Sequence, residues 1–350
     1  MTIVQSLYHK YQRYRTLMTD QITALPIVIL MPHSACNCKC VICDIWKDNK
    51  NLKQLNDEDI SGLMHSLCSL GTRQVLMSGG EALLNPLFFD FCKKLNRVGI
   101  RVSLLSTGLT LSKHAEAIVE NVNDVIVSLD GDEALHDKIR NIPGAFKKMK
   151  EGIGALRKID PGMRITARSV IHRLNFRHWI PIVEAAREIG VNQISFLPAD
   201  VSSHAFNREV LWSEQKQHEI MLPVEELSEL TKTLEALLAY LEEKKWTSFV
   251  AENALKLRKI PEYYSALWGL NAFPFKKCNA PWVSTVVEAD GTVRPCFFHQ
   301  PIGNIREASL SEILNGEKAT AFRKTLDMNS NETCLRCVCY LHLNPKNSIQ

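Results

Sequence analysis

Three cysteines, Cys36, Cys40 and Cys43, fall within eight residues just after the apolar run 27–31. Their C-x3-C-x2-C spacing offers three soft thiolates on one short loop, a number that suits a cubane iron–sulfur cluster with one iron free of protein ligands. A zinc ion needs a closed tetrahedron, and Cys38 or His33 could complete one, so spacing alone leaves both metals open. A second set, Cys278, Cys296, Cys334 and Cys337, brings four thiolates from two separated segments, enough to close a site around zinc or a [4Fe-4S] cluster. Between the two sets lies Ser78-Gly79-Gly80-Glu81, where glycines let the backbone approach a ligand and a carboxylate could accept from an ammonium group. Further on, Ser128-Leu-Asp-Gly and Arg140 supply a hydroxyl and a guanidinium, the latter shaped for a carboxylate.

These residues need strands that end together. The apolar run 25–31 is a short buried strand that delivers the chain to the cysteine loop, and strands over 74–77, 101–105, 124–129, 164–171 and 193–197 follow. Helices over 56–70, 87–98, 115–122, 144–159 and 179–189 alternate with them, Asn56 standing as the cap of the first. Such alternation predicts a parallel sheet, either a partial barrel or an open doubly wound sheet. Residues 206–272 break the rhythm with a polar loop and a helix over 224–245, striped by Leu227, Leu230, Leu234, Leu237, Leu238 and Leu241. In 273–350, Ala289-Asp-Gly291 between β-branched runs signals a hairpin that carries Cys278 and Cys296 to the same open end. A helix over 309–326 then leads back to Cys334. Residues 1–25 form an amphipathic helix whose Leu7, Tyr8, Tyr11, Tyr14 and Leu17 pack as a lid, a reading favoured over peripheral membrane contact.

The cysteine array followed by Ser78-Gly-Gly-Glu81 resembles the radical S-adenosylmethionine (SAM) superfamily. The segment from Ser128 to Arg140 resembles the "SLDG…HD..R" stretch of its SPASM and twitch subgroups, and 278–337 resembles a twitch domain. The resemblance implies a partial (β/α)6 barrel over 26–205, a helical bridge over 206–272, and a twitch-type domain over 273–350. It implies two [4Fe-4S] clusters, one on Cys36, Cys40 and Cys43 that binds SAM and one auxiliary cluster on Cys278, Cys296, Cys334 and Cys337. SAM would then meet Ser78, Gly79, Gly80, Glu81, Ser128 and Arg140, with Ser106-Thr107 and Arg168-Ser169 as weaker candidates. Cys38 reads as a bystander pointing away, and Cys68 and Cys92 as buried small apolar residues on helices. The residue before the third cysteine is commonly aromatic in the superfamily; here it is Ile42, and Trp46 is the residue that could compensate.

Composition narrows the rest. With 42 basic and 38 acidic residues the charge is too balanced to point to nucleic acid. Eleven cysteines, odd in number and tightly clustered, in a chain without a secretory signal, read as reduced thiols in a cytoplasmic protein. The resemblance implies reductive cleavage of SAM to a 5′-deoxyadenosyl radical and hydrogen abstraction from a substrate. With an auxiliary cluster to accept an electron, a net oxidation follows, fed by a flavodoxin- or ferredoxin-type donor. The 35 residues before Cys36 are too few for a leader-binding domain, so a small molecule is favoured over a peptide. His299, Asp200 and His172 are candidate bases, unranked by the sequence.

Overall fold

The computed structural model describes residues 3–206, 208 and 210–345; the Leu7 side chain and residues 346–350 lie outside the described residues. Six strands, β1 (Ile27–Leu30), β2 (Gln74–Met77), β3 (Arg101–Ser106), β4 (Asp124–Ser128), β5 (Arg164–Ile171) and β6 (Gln193–Pro198), pair in parallel in strictly sequential order. A doubly wound sheet reverses its order midway. Here no reversal occurs, so right-handed crossovers place the helices on one face and leave the other for a site at the strand ends. The two faces differ as that winding requires. Val28, Leu30, Val75, Met77, Val125, Val127, Ile165 and Ala167 are buried, whereas Ile29, Leu76, Ile126, Ser128 and Arg168 are only half-buried on the opposite face. The expected partial barrel is therefore present.

The hairpin adds to this sheet instead of forming a layer of its own. β7 (Ser284–Val287) runs parallel to β1 in unbroken register, and β8 (Thr292–Arg294) and β9 (Gly303–Asn304) continue antiparallel beyond it. Its turn holds Gly291 at φ +85°, a conformation that glycine adopts freely. Without β7, β1 would be an open edge. Because β7 runs with β1 and β8 runs back against it, Cys278 and Cys296 lie toward the strand ends opposite the first cysteine loop, while the hairpin turn lies at the rim that bears that loop.

The bridge is built on helix Leu227–Glu243, which buries Leu227, Leu230, Leu234, Leu237 and Leu241, and on helix Ala254–Leu267 packed against it and against β6. Helix Glu133–Arg140 went unread in the sequence because its apolar residues are few and interrupted by charge, and helix Ala254–Leu267 because Pro261, a helix breaker, stands inside it. The single helix expected over 309–326 is two, Leu310–Asn315 and Glu317–Thr325, divided at Gly316. The N-terminal helix Ile3–Thr19 turns round relative to expectation. Arg13 and Thr16 face the body, where the Thr16 hydroxyl accepts from the amides of Thr23 and Ala24, while Tyr8, Tyr11 and Tyr14 are exposed. Among the described residues no helix is long and apolar enough to cross a membrane.

Candidate active site

The cysteine loop is fastened by its backbone. Asn49 grips Cys36 through both ends of its side-chain amide, Oδ1 accepting from the Cys36 N–H at 3.0 Å and Nδ2 donating to the Cys36 carbonyl at 2.9 Å. The amides of Lys39 and Val41 donate to the carbonyls of Arg140 and Ile139, and the Trp46 indole donates to the Cys40 carbonyl. Within the loop the Cys38 amide lies 3.5 Å from Cys36 Sγ, the Ile45 amide faces Cys43, and Arg140 Nη1 lies 3.5 Å from Cys40 Sγ. Cys38 does not point away, as its place inside the array suggested. It is buried with its thiol donating to Cys40, because a one-residue spacing in this tight loop leaves it no route to solvent. That hydrogen bond, aided by Arg140, brings Cys40 down to about 6, while burial pushes Cys36 and Cys43 up to about 12. Binding a metal here would release protons from the latter pair.

The Gly-Gly turn exists so that this loop can cross it. A Cβ on Gly80 would lie 2.1 Å from the Ala35 carbonyl oxygen, and Gly79 holds φ +103° beneath Met31. The Glu81 amide then donates to Ala35 at 2.9 Å. The Glu81 side chain corrects the expectation of a carboxylate open to an ammonium. It is fully buried, accepting from Ser106 Oγ (2.9 Å), the Thr107 amide (2.9 Å), Thr107 Oγ1 (2.7 Å) and the Leu83 amide (3.3 Å). Burial raises its pKa despite those donors. Its role is to tie the β2 turn to the β3 turn, which also explains Ser106 and Thr107.

Arg140 likewise departs from expectation. It is buried against Asp130 at 2.5 Å and faces Cys40, so its charge is taken up inside the protein. Burial works against that charge, but Asp130 and the thiols outweigh it and hold the pKa above its ordinary value. Asp132 caps the following helix. Ser128 is half-buried at the end of β4, and its register partner on β5 is Arg168. Arg168 reaches only Ser195, at 3.4 Å, with no carboxylate beside it among the described ion pairs. Ser128 and Arg168 thus present a hydroxyl and a cation side by side. Asn37 Nδ2, within the cysteine loop, is buried without a partner and fits a ligand with an acceptor atom.

The second set repeats the donor pattern of the first. The amides of Ala280 and Cys339 lie 3.5 and 3.4 Å from the sulfurs of Cys278 and Cys337, the amides of Phe298 and His299 face Cys296, and His299 Nε2 lies 3.3 Å from Cys334 Sγ. Six of the seven cysteines expected as ligands therefore have an N–H group at the sulfur, in five cases from the residue two further on, and the seventh, Cys334, has the His299 ring nitrogen. Donors so placed stabilise metal-bound thiolate, and hydrogen bonds to sulfur are what tune iron–sulfur centres. Burial raises Cys296 to about 11 and Cys334 to about 12. Among the described residues no three His, Cys, Asp or Glu side chains are gathered tightly enough to grip a single ion. A cubane takes each thiolate on a separate iron and makes no such demand. Cys92 is buried as expected, but Cys68 is exposed on its helix.

A cavity of about 480 Å³ is bounded by His33, Gly79 and Gly80 from the barrel and by Asp290, Arg294 and Phe297 from the hairpin segment. Its cations are already paired: Lys53 with Asp290 at 3.3 Å, Arg294 with Glu288 at 2.8 Å, and Arg208 with Asp200 at 2.7 Å. His33 Nδ1 accepts from the Ala35 amide at 2.9 Å, so in the neutral ring Nε2 carries the proton, and burial lowers the pKa. None of the three proposed bases is free. His172 is fully buried, His299 lies against Cys334, and Asp200 holds Arg208.

Two family models match this chain, the radical SAM superfamily over residues 30–186 and an iron–sulfur cluster-binding domain, SPASM, over 278–338, together more than half of it. The AdoMet-dependent heme synthase of Methanosarcina barkeri is 27% identical, with 84% of this chain and 82% of that protein covered. A cysteine-type anaerobic sulfatase-maturating enzyme of Clostridium novyi is 25% identical, with 91% and 86% covered. Streptococcus suis SuiB, solved bound to S-adenosylmethionine, superposes with a TM-score of 0.66 at 13% identity, over 94% of this chain and 76% of that one. The donor sets fit the cofactors such a chain requires. The chain belongs to the radical SAM superfamily, an enzyme with a C-terminal SPASM-type domain whose cofactors are SAM and two [4Fe-4S] clusters.

Proposed function

We propose that this enzyme catalyses a net oxidation at a carbon centre of a substrate held in the cavity between its barrel and its hairpin segment. Cys36, Cys40 and Cys43 would hold the first cluster, and Cys278, Cys296, Cys334 and Cys337 the second. SAM would lie on the open face against the Gly79-Gly80 turn, with Ser128 and Arg168 toward its carboxylate and ribose and Arg140 as a buried counter-charge behind Cys40. Bound there, SAM and its cluster supply one-electron cleavage to a 5′-deoxyadenosyl radical that takes a hydrogen atom. The protein's part is orientation and exclusion of water. The neutral His33 Nε2–H is a donor for a substrate carbonyl. The observation that carries the oxidation is the cavity itself. Its hairpin-side wall, Phe297, adjoins Cys296, so an electron leaving the substrate has a short route to the second centre. A flavodoxin- or ferredoxin-type protein would supply the reducing electron.

A peptide or protein side chain is the substrate class we favour. The small-molecule preference rested on the length of chain before Cys36, which carries no structural weight. The heme synthase relative favours a tetrapyrrole instead, but a substrate with several carboxylates needs free cations. Each cavity cation here has its own carboxylate within 3.3 Å. The sulfatase-maturating relative, by its name, acts on a protein.

Anaerobic reconstitution tests this reading. About eight irons per chain and dithionite-dependent cleavage of SAM are expected. Replacing Cys296 by Ala should leave about four irons and the cleavage, but stop formation of oxidised product. Two zincs and no cleavage would end the proposal. For the substrate, a deuterated peptide encoded beside the gene should pass deuterium into 5′-deoxyadenosine; transfer from a tetrapyrrole alone would reverse the choice of class.

A further inference from the structure

Lys276 is half-buried in the segment that leads from helix Ala254–Leu267 to Cys278. Its ammonium donates to the carbonyls of Leu335 (2.5 Å) and Cys337 (2.7 Å), and the rings of Tyr263 and Phe273 stand 5.9 Å away on its flanks. Both carbonyls belong to the arm that carries Cys334 and Cys337, at the end of the five-residue helix Glu332–Arg336. The last carbonyls of a helix lack partners within it, and a lysine can satisfy them. This lysine comes from the far side of the site, beside Cys278. It therefore joins the two segments that must converge for four thiolates to meet.

The same ammonium acts on the second set. It is the cation that pulls the pKa of Cys334 and Cys337 down, and those two thiols are the charges it feels most, ahead of Lys259 and then Cys278. Lys259 donates to the Phe275 carbonyl and not to a carbonyl of the arm. A positive charge in a partly desolvated position favours the more negative of two redox states. At a cluster of four thiolates that state is the reduced one.

We propose that Lys276 is a positioning residue for the second cluster, fastening the Cys334-x2-Cys337 arm to the Cys278 segment and raising the reduction potential of the centre they hold. The proposal rests on the two-cluster reading and deepens it. An enzyme that passes a substrate electron to this centre needs a potential high enough to receive it, and a cation already in place provides that without a moving part.

The test compares the full chain with K276R and K276Q, each reconstituted anaerobically, by iron content and by an EPR-monitored redox titration of the second cluster. The titration is done with Cys36, Cys40 and Cys43 replaced by Ala so that one signal remains. Wild type and K276R should keep the cluster with similar potentials. K276Q should make reduction at least tenfold less favourable, a shift of ~59 mV to lower potential for one electron, or lose the cluster while K276R retains it. A K276Q potential within twofold of wild type in the equilibrium constant, or equal loss of the cluster in K276R and K276Q, would overturn the proposal. Absence of a second cluster from the wild-type chain would instead overturn the two-cluster reading, leaving the two failures distinct.

Discussion

At the scale of the residue, the site is governed by which charges are already spent. Glu81 and Arg140 look in the sequence like ligand-binding groups, yet each is consumed by neighbours: Glu81 by Ser106 and Thr107, Arg140 by Asp130. Arg168, level with Ser128 across the β4–β5 pair, has no carboxylate partner among the described ion pairs. Replacing Arg168 by Leu is expected to raise the KM for SAM about tenfold or more, the loss of one charge-assisted hydrogen bond, while iron content stays unchanged. Equal iron and an unchanged KM would remove Arg168 from the site. A second residue, His172, makes a prediction in pH. Its pKa falls to about 4 because burial disfavours the charged ring, against 6.5 in the unfolded chain. As pH drops from 6.5 toward 4 the unfolded state takes up the proton first, so stability present above pH 6.5 is lost through that window, by up to about 3 kcal/mol. The gap between urea midpoints at pH 7 and pH 5 should therefore narrow in H172N; a gap as wide as in wild type would count against this assignment.

At the scale of the element, the central contact is between the cysteine loop and the turn after β2. Because a methyl group at Gly80 would sit 2.1 Å from the Ala35 carbonyl oxygen, backbone must give way. G80A is expected to reconstitute with about four irons instead of eight while its circular dichroism stays native, and full iron content in G80A would show that the close approach does not matter. This contact also shows how far the sequence could be read. The β2 strand, its Gly-Gly turn and the cysteine spacing were legible because each has a local signature. So was the helix after Asn56, whose cap pairs reciprocally with Asp59 and whose Ile60, Leu63 and Leu67 are buried. What was hidden depends on partners far along the chain. Nothing near Arg140 announces Asp130 as its consumer, nothing near Lys276 announces Leu335, and the tyrosines of the first helix face outward because the body meets Arg13 and Thr16 instead.

At the scale of the whole molecule, β7 joins the two halves. By pairing with β1 in register it fixes the hairpin to the barrel, so that the cavity has the SAM-side turn and the hairpin segment as walls on one rigid sheet. The periodicity of the segment 284–294 predicted a hairpin but could not say which edge it would join, since β-branched strands carry no address for a parallel partner. The account depends most on SAM binding at the iron left open by Cys36, Cys40 and Cys43. The direct measurement is EPR of the dithionite-reduced protein with and without SAM, on wild type and on the Cys40→Ala and Cys38→Ala variants. SAM should alter one of two cluster signals in wild type and Cys38→Ala, and that signal should be missing from Cys40→Ala. Signals indifferent to SAM, or a SAM-responsive signal that survives in Cys40→Ala, would contradict the account.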